Sequence, residues 1–238
     1  HRDLHSFPTR RSSDLSRRAR IAPVDAVFPH RNEEITILSE AIDADPTDAT
    51  APYLLGTLLY AVGRTNDGRA MWREASQRGS NEASLYSVLG WAAWKLDSDR
   101  TQALSHYRKA AELRPTDYRI HISIDQIEEE LGTSPEKRLD SLLALPESIR
   151  STGRLPQRLV QLYTAIGRWS DAERIFSSHY FRPWEGERTM RGIYTDFCVA
   201  HGEALMDERR WADARKAFER ALDRSEERRV GKECRSRW

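Results

Sequence analysis

Only two cysteines occur in 238 residues. One, Cys234, lies in a terminal segment excluded below, and Cys198 alone cannot form an intrachain disulfide. No apolar run approaches the roughly 18 residues that a membrane-crossing helix needs. Charge of neither sign prevails, with 38 Lys and Arg against 37 Asp and Glu, so no basic field argues for nucleic acid. The chain has no phosphate-cradling G-x-x-x-x-G-K-[ST], no G-x-G-x-x-G and no G-x-S-x-G. His30, His106, His121, His179 and His201 show no metal spacing: there is no H-E-x-x-H and no cysteine partner. Glu128-Glu129-Glu130 reads as a solvated charge run on a helix, without the opposed geometry of a glycosidase pair. Cys198 falls on an inward helix position, which suits a buried thiol better than a nucleophile. The expectation is no enzyme, no cofactor, no metal, no nucleic acid and no membrane. One thiol does not identify a compartment, and the cytoplasm is the default expectation.

The two ends read HRDLHSFPTRRSSDL (1–15) and RSEERRVGKECRSRW (224–238). Codons that encode the first have a reverse complement that encodes the second. The ends thus carry one DNA segment on opposite strands, as a sequencing-library adapter translated at both edges of an assembly would. They are excluded from fold reasoning. The exclusion removes His1-Arg2-Asp3-Leu4, a decoy for a kinase catalytic loop. Residues 16–223 then hold 29 basic and 32 acidic side chains, a net of −3. Residues 16–31 are basic, contain Pro23 and Pro29, and read as linker.

Within 32–223 the informative feature is spacing. Leu55-Gly56 and Leu89-Gly90 stand 34 residues apart, and each opens the same pattern. Gly68, Trp72 and Ala75 follow the first. Ala103, Tyr107, Ala110 and Pro115 follow the second, displaced by one inserted residue. Small residues where two helices touch, an aromatic one turn later and a closing proline resemble the tetratricopeptide repeat. The resemblance implies an all-α fold of antiparallel helix pairs stacked into a right-handed superhelix, an α-solenoid.

A leading helix over 32–45 carries Ile35, Leu38, Ala41 and Ile42 at helical spacing, and Pro46 closes it. About five pairs follow, near 49–82, 83–117, 118–152, 153–187 and from about 195. In the first, Pro52 suits an opening turn, Leu54, Leu55, Leu58 and Leu59 supply an apolar face, and Gly63 ends the helix. The third is degraded: Ile120, Ile122, Ile124 and Ile127 mark a helix ending at Gly132, and Ser134-Pro135-Glu136 starts another by an N-cap and a helix-compatible proline. The fourth has Leu159, Leu162, Tyr163, Gly167, Ala172 and Phe176. The fifth has Leu205, a turn near Asp207-Glu208, then Trp211, Ala214, Phe218 and Ala221. Neither end carries the polar capping repeat that normally closes a solenoid, so the array is expected to continue on both sides.

Several stretches also resemble one bacterial family of long proteins in which a domain of unknown function precedes tetratricopeptide repeats. They are Phe28-Pro29-x-Arg31, the run from Pro46 through Asp48, Pro52-Tyr53, Leu55-Gly56 and Leu58-Leu59-Tyr60, then Ile124-Asp125-Gln126-Ile127 and Arg138-Leu139. The most specific is Phe181-Arg182-Pro183-Trp184-Glu185-Gly186-Glu187. This chain departs from the family after Gly186, where a more Gly-rich continuation is usual. The resemblance implies no reaction for this region and associates the upstream domain with carbohydrate.

First helices of such repeats line a groove in which peptides bind. The repeat register places Tyr53, Thr57 and Tyr60 there from the first pair, Trp91, Trp94 and Lys95 from the second, and Gln126 and Glu129 from the third. Tyr53 and Tyr60 are i, i+7, and Trp91 and Trp94 are i, i+3, so each couple shares a helix stripe. These aromatics read either as a binding platform or as packing between neighbouring helices. The 181–187 loop, with Phe181, Pro183, Trp184, Glu185 and Gly186, either contacts a partner or tucks its rings over a gap in the stack. The function expected is a scaffold that binds a protein or peptide segment. The alternative is the tail of a larger carbohydrate-active bacterial protein, its groove docking an upstream catalytic or sugar-binding domain of the same chain.

Overall fold

The structure is a computed structural model that describes residues 28–179 and 190–222. Both adapter-like ends, most of the 16–31 linker and the 181–187 loop lie outside the described residues. The chain divides into two compact units, 1–92 and 93–238. The described residues form helices and no strands: α1 (Glu33–Ala44), α2 (Thr50–Ala61), α3 (Thr65–Gln77), α4 (Ala83–Lys95), α5 (Arg100–Leu113), α6 (Tyr118–Glu130), α7 (Pro135–Leu143), α8 (Glu147–Arg150), α9 (Leu155–Ala165), α10 (Trp169–Ser178), α11 (Met190–Asp207) and α12 (Trp211–Leu222). Leading helix α1, the pair α2–α3 and most of α4 belong to unit 1–92; the end of α4, α5 and the pairs α6–α7, α9–α10 and α11–α12 belong to unit 93–238.

Local chemistry sets the helix ends. Aspartates open several first turns, because a carboxylate there satisfies backbone N–H groups that lack an intrahelical partner. Asp48 accepts from the amides of Thr50 and Ala51 (both 3.0 Å), Asp99 from Gln102 (2.9 Å) and Asp117 from Arg119 (3.0 Å). Ser134 holds the cap position of α7, yet its side chain makes no capping hydrogen bond. Its hydroxyl serves the Glu136 carboxylate instead, and Pro135 has no N–H to satisfy.

First helices end on a left-handed residue: Gly63, Ser98, Gly132, Gly167 and Arg209, with φ from 55° to 86°. The amide after it reaches back to the helix. Arg64 donates to the Leu59 carbonyl (2.8 Å), Thr133 to Glu128 (2.9 Å), Arg168 to Tyr163 (2.8 Å) and Arg210 to Leu205 (2.8 Å), the closure expected of a Schellman end. The same arginines then pair with an aspartate three residues on: Arg64 with Asp67 (2.7 Å), Arg168 with Asp171 (2.6 Å) and Arg210 with Asp213 (2.8 Å).

In unit 1–92, α2 and α3 touch backbone to backbone. A Cβ added at Gly68 would lie 2.6 Å from the Gly56 carbonyl oxygen, and one at Gly56 would lie 2.5 Å from the Trp72 ring. Around this crossing Tyr53, Trp72, Ala75, Leu85, Leu89 and Ala92 form the core. Arg78 ties α3 back to the turn before α2, donating to the carbonyl of Asp48 (2.9 Å).

In unit 93–238, α6, α7 and α9–α11 enclose one core, with Leu139, Leu155, Val160, Ala172, Phe197 and Cys198 at 1% exposure or less. Two elements differ from the sequence reading. Helix α11 starts at Met190, five residues ahead of the expected start. Ile193, Tyr194 and Phe197 extend its apolar stripe against Phe176 and Trp169, so the extra turn is packed. The short α8 follows Pro146, and Ile149 anchors it in the core.

Two substitutions test this account in opposite directions. Gly68→Ala forces a methyl against backbone that cannot rotate away, and a loss of about 1–3 kcal/mol is expected by urea unfolding. Arg209→Gly relieves a left-handed non-glycine residue and should gain about 0.5–1 kcal/mol in the same assay.

Candidate functional site

The first-helix residues fall into the two units and behave differently in each. In unit 1–92, Tyr53 is buried at 8% exposure. The Thr57 hydroxyl donates to the Tyr53 carbonyl (3.0 Å) and accepts from the Trp72 indole (3.3 Å). Both residues therefore serve internal contacts. Tyr60 is half-buried, stacked on Trp72 (centroids 5.2 Å apart) and met edge-on by Trp91 (5.6 Å, 90°). Offset and edge contacts of this kind hold rings in fixed orientations. Tyr60 and Trp91 are thus brought together and keep exposed surface, with Trp72 beneath them.

In unit 93–238, the three glutamates that end α6 are each paired with arginine; Glu129 and Glu130 are exposed, as a solvated run would be, and only Glu128 is buried. Glu128, 9% exposed, accepts from Arg108 (2.9 Å). Glu129 accepts from Arg138 (3.1 Å) and Arg158 (2.5 Å). Glu130 accepts from Arg100 (2.5 Å) and from the Trp94 indole (3.1 Å). Lys95 places its ammonium 3.2 Å from the centroid of the Trp94 ring. Gln126 is half-buried between these groups in sequence.

Beneath Glu129 lies a charged network that sequence reasoning missed. Asp125, 2% exposed, accepts from Arg138 Nε (2.9 Å) and also from Arg158 Nε. Arg138 is itself 3% exposed, and its Nη2 is buried without a hydrogen-bond partner. Asp125 and Arg138 occupy the repeat positions where the first pair has Gly56 and Gly68 and the last has Gly202 and Ala214. The repeat register was the signal that could have found them, because a carboxylate and a guanidinium replace two small residues at a crossing. Arg158 spans from α9 to α6 and also donates to Gln161 Oε1 (3.2 Å).

The electrostatics follow from these contacts. Burial opposes ionisation of Glu129, but Arg158 and Arg138 outweigh it and hold the carboxyl below the usual range. The Trp94 indole and then Arg100 do the same for Glu130. Burial pushes His106, His179 and His201 down. His201 stacks on Trp169 (centroids 4.8 Å apart, 16°), and its Nδ1 is buried without a partner. Cys198 is buried at 1% exposure. Among the described residues, no group of three or more His, Cys, Asp and Glu could hold a metal ion, and no helix is long and apolar enough to cross a membrane. The loop candidates Phe181, Pro183, Trp184, Glu185 and Gly186 lie outside the described residues.

Asp125→Ala leaves two arginines without a buried partner and should cost about 3–5 kcal/mol. Asp125→Gly with Arg138→Ala restores a small-residue crossing and should recover at least half of that loss by urea unfolding. The histidines predict acid sensitivity. Their neutral forms belong to the folded state, so stability is complete above the unfolded-state pKa near 6.5 and falls as pH drops through it. Urea midpoints at pH 7.5 and 5.5 should differ less in His201→Phe than in the wild type.

No protein-family model matches the chain. Solved structures do resemble it. YrrB, a TPR protein "with an unusual peptide-binding site", aligns over 83% of this chain and 97% of its own at TM-score 0.57 and 14% identity. PilF of Pseudomonas aeruginosa aligns over 74% and 78% at TM-score 0.53 and 13% identity. MamA aligns over 60% and 82% at TM-score 0.49 and 18% identity. At such identities the first two likenesses concern fold alone. Together with first helices that start 33 to 37 residues apart, they show that this chain has the tetratricopeptide-repeat fold.

Proposed function

We propose that the chain is a non-catalytic interaction module that binds a protein or peptide segment on the faces formed by its first helices. The observation that carries this reading is a difference in exposure among the aromatics of α2 to α5, Tyr53 apart. Trp72 and Tyr107, aromatics of second helices, are 3% and 6% exposed and belong to the packing. Tyr60, Trp91 and Trp94, on first helices, keep exposed surface while ring contacts or a hydrogen bond fix their orientation. Rigid, partly exposed aromatics are the side chains that most often dominate binding energy, since little conformational freedom is lost when a partner covers them.

Each unit offers such a face. Tyr60 and Trp91 form it in unit 1–92, with Tyr53 and Thr57 as supports. Trp94, Lys95, Gln126 and Glu129 form it in unit 93–238. The fold shared with YrrB, a TPR protein with an unusual peptide-binding site, supports the reading. An upstream domain of the same protein is a second class of occupant for the same faces.

Peptides selected from a displayed random library provide the test. Trp91→Ala and Trp94→Ala should each weaken a selected peptide by about tenfold or more, equivalent to about 1.4 kcal/mol. The urea midpoint should stay close to that of the wild type. Unfolding of both variants would assign the rings to packing and sink the proposal.

A further inference from the structure

The end of α4 and the end of α6 build a small receptor in unit 93–238. The Trp94 indole donates to Glu130 Oε2 (3.1 Å), and Arg100 Nε donates to the same oxygen (2.5 Å). The ring is thereby fixed with its edge on a carboxylate. The Lys95 ammonium lies over its face, 3.2 Å from the ring centroid. That ammonium also acts electrostatically on Glu130. An aromatic face beside a carboxylate attracts cations, because the ring quadrupole and the negative charge pull the same way. The molecule itself shows which ligand this arrangement takes, since a lysine from the neighbouring position already sits there.

The occupant is displaceable. Lys95 is exposed and long, and the carboxylate side is half-exposed, with 35% of the Glu130 side chain in contact with solvent. Contacts of this kind are weak when water reaches both partners, and salt screens them further. An incoming cation would exchange with Lys95 and leave the Trp94–Glu130–Arg100 arrangement intact.

We propose that Trp94 and Glu130 form a subsite for a lysine or arginine side chain of the bound segment, and that Lys95 holds this subsite as an internal competitor until the segment arrives. The proposal rests on the peptide-binding reading above and narrows it to a segment with a basic residue at one position. The chain then carries its own brake on binding: neutral and acidic segments do not gain from displacing Lys95, whereas a basic one replaces like with like.

The experiment uses the full chain and a fluorescein-labelled peptide of alternating glycine and lysine, with a glycine–glutamine counterpart. Lys95→Ala should bind the lysine peptide about two- to fivefold more tightly than the wild type, the range expected for losing one exposed cation–π competitor. Lys137→Ala removes the same charge from an exposed position elsewhere and should show no gain. Adding Glu130→Gln or Trp94→Leu to Lys95→Ala should abolish the gain, with thermal unfolding confirming that each variant is folded. An equal gain in Lys137→Ala, or one that survives Glu130→Gln, would overturn the subsite in favour of unspecific charge. If library-selected neutral peptides bind through Trp91 while the lysine peptide ignores Lys95→Ala, the subsite falls and peptide binding stands. If no peptide of either kind binds, both fall.

Discussion

The distance between the two helices of a pair governs this protein. In the first pair that distance is set by Gly56 and Gly68, whose backbones approach until no Cβ fits between them. In the last pair Gly202 plays the same part, with the Phe218 ring 2.6 Å from where its Cβ would stand. Once the crossing is this close, the aromatic four residues beyond it must lie flat over the glycine. That is how Trp72 comes to be buried at 3% and to present a stacking surface for Tyr60. Interiors packed to crystal-like density pass such a constraint on to every neighbour. A methyl at the crossing would therefore be felt one repeat away.

The third pair meets the same constraint with opposite chemistry. Asp125 and Arg138 stand at its crossing, and two buried ions cannot remain there unless their remaining hydrogen-bonding capacity is met. Arg158 supplies most of what is missing by reaching over from α9, and Glu129 joins the two guanidiniums on the more exposed side. The third and fourth pairs are thus tied by a buried charge network. A consequence for function is that Glu129 and Gln161 are held in fixed positions by Arg158. Preorganised polar groups lose less entropy on binding than free ones.

Aromatic and charged groups cooperate again at Trp94, where a hydrogen bond to Glu130 orients the ring and a lysine covers it. The first-helix faces of the two units are therefore unlike. One presents stacked and edge-on rings, the other an indole set among carboxylates and ammonium. Such differences are what allow one repeat fold to recognise different segments, because the packing positions repeat and the facing positions do not.

Helix pairs, and the ends at Gly63, Gly132 and Gly167, were legible in the amino-acid sequence, since periodicity, capping and left-handed turns depend on residues within a few positions of one another. The sequence by itself also placed Cys198 and the small residues of the crossings on inward faces. Other features were decided only when helices met. Tyr53 and Tyr60 share a stripe, yet one is buried and the other half-exposed, because burial depends on the neighbouring α3 and α4 rather than on α2. The pairing of Glu128, Glu129 and Glu130 was not legible because their arginine partners lie up to 30 residues away, at Arg100, Arg108, Arg138 and Arg158. Local pattern determines which segments become helices and where they stop. Pairing of buried charges and the exposure of a given ring are properties of several helices at once, and tertiary packing alone settles them.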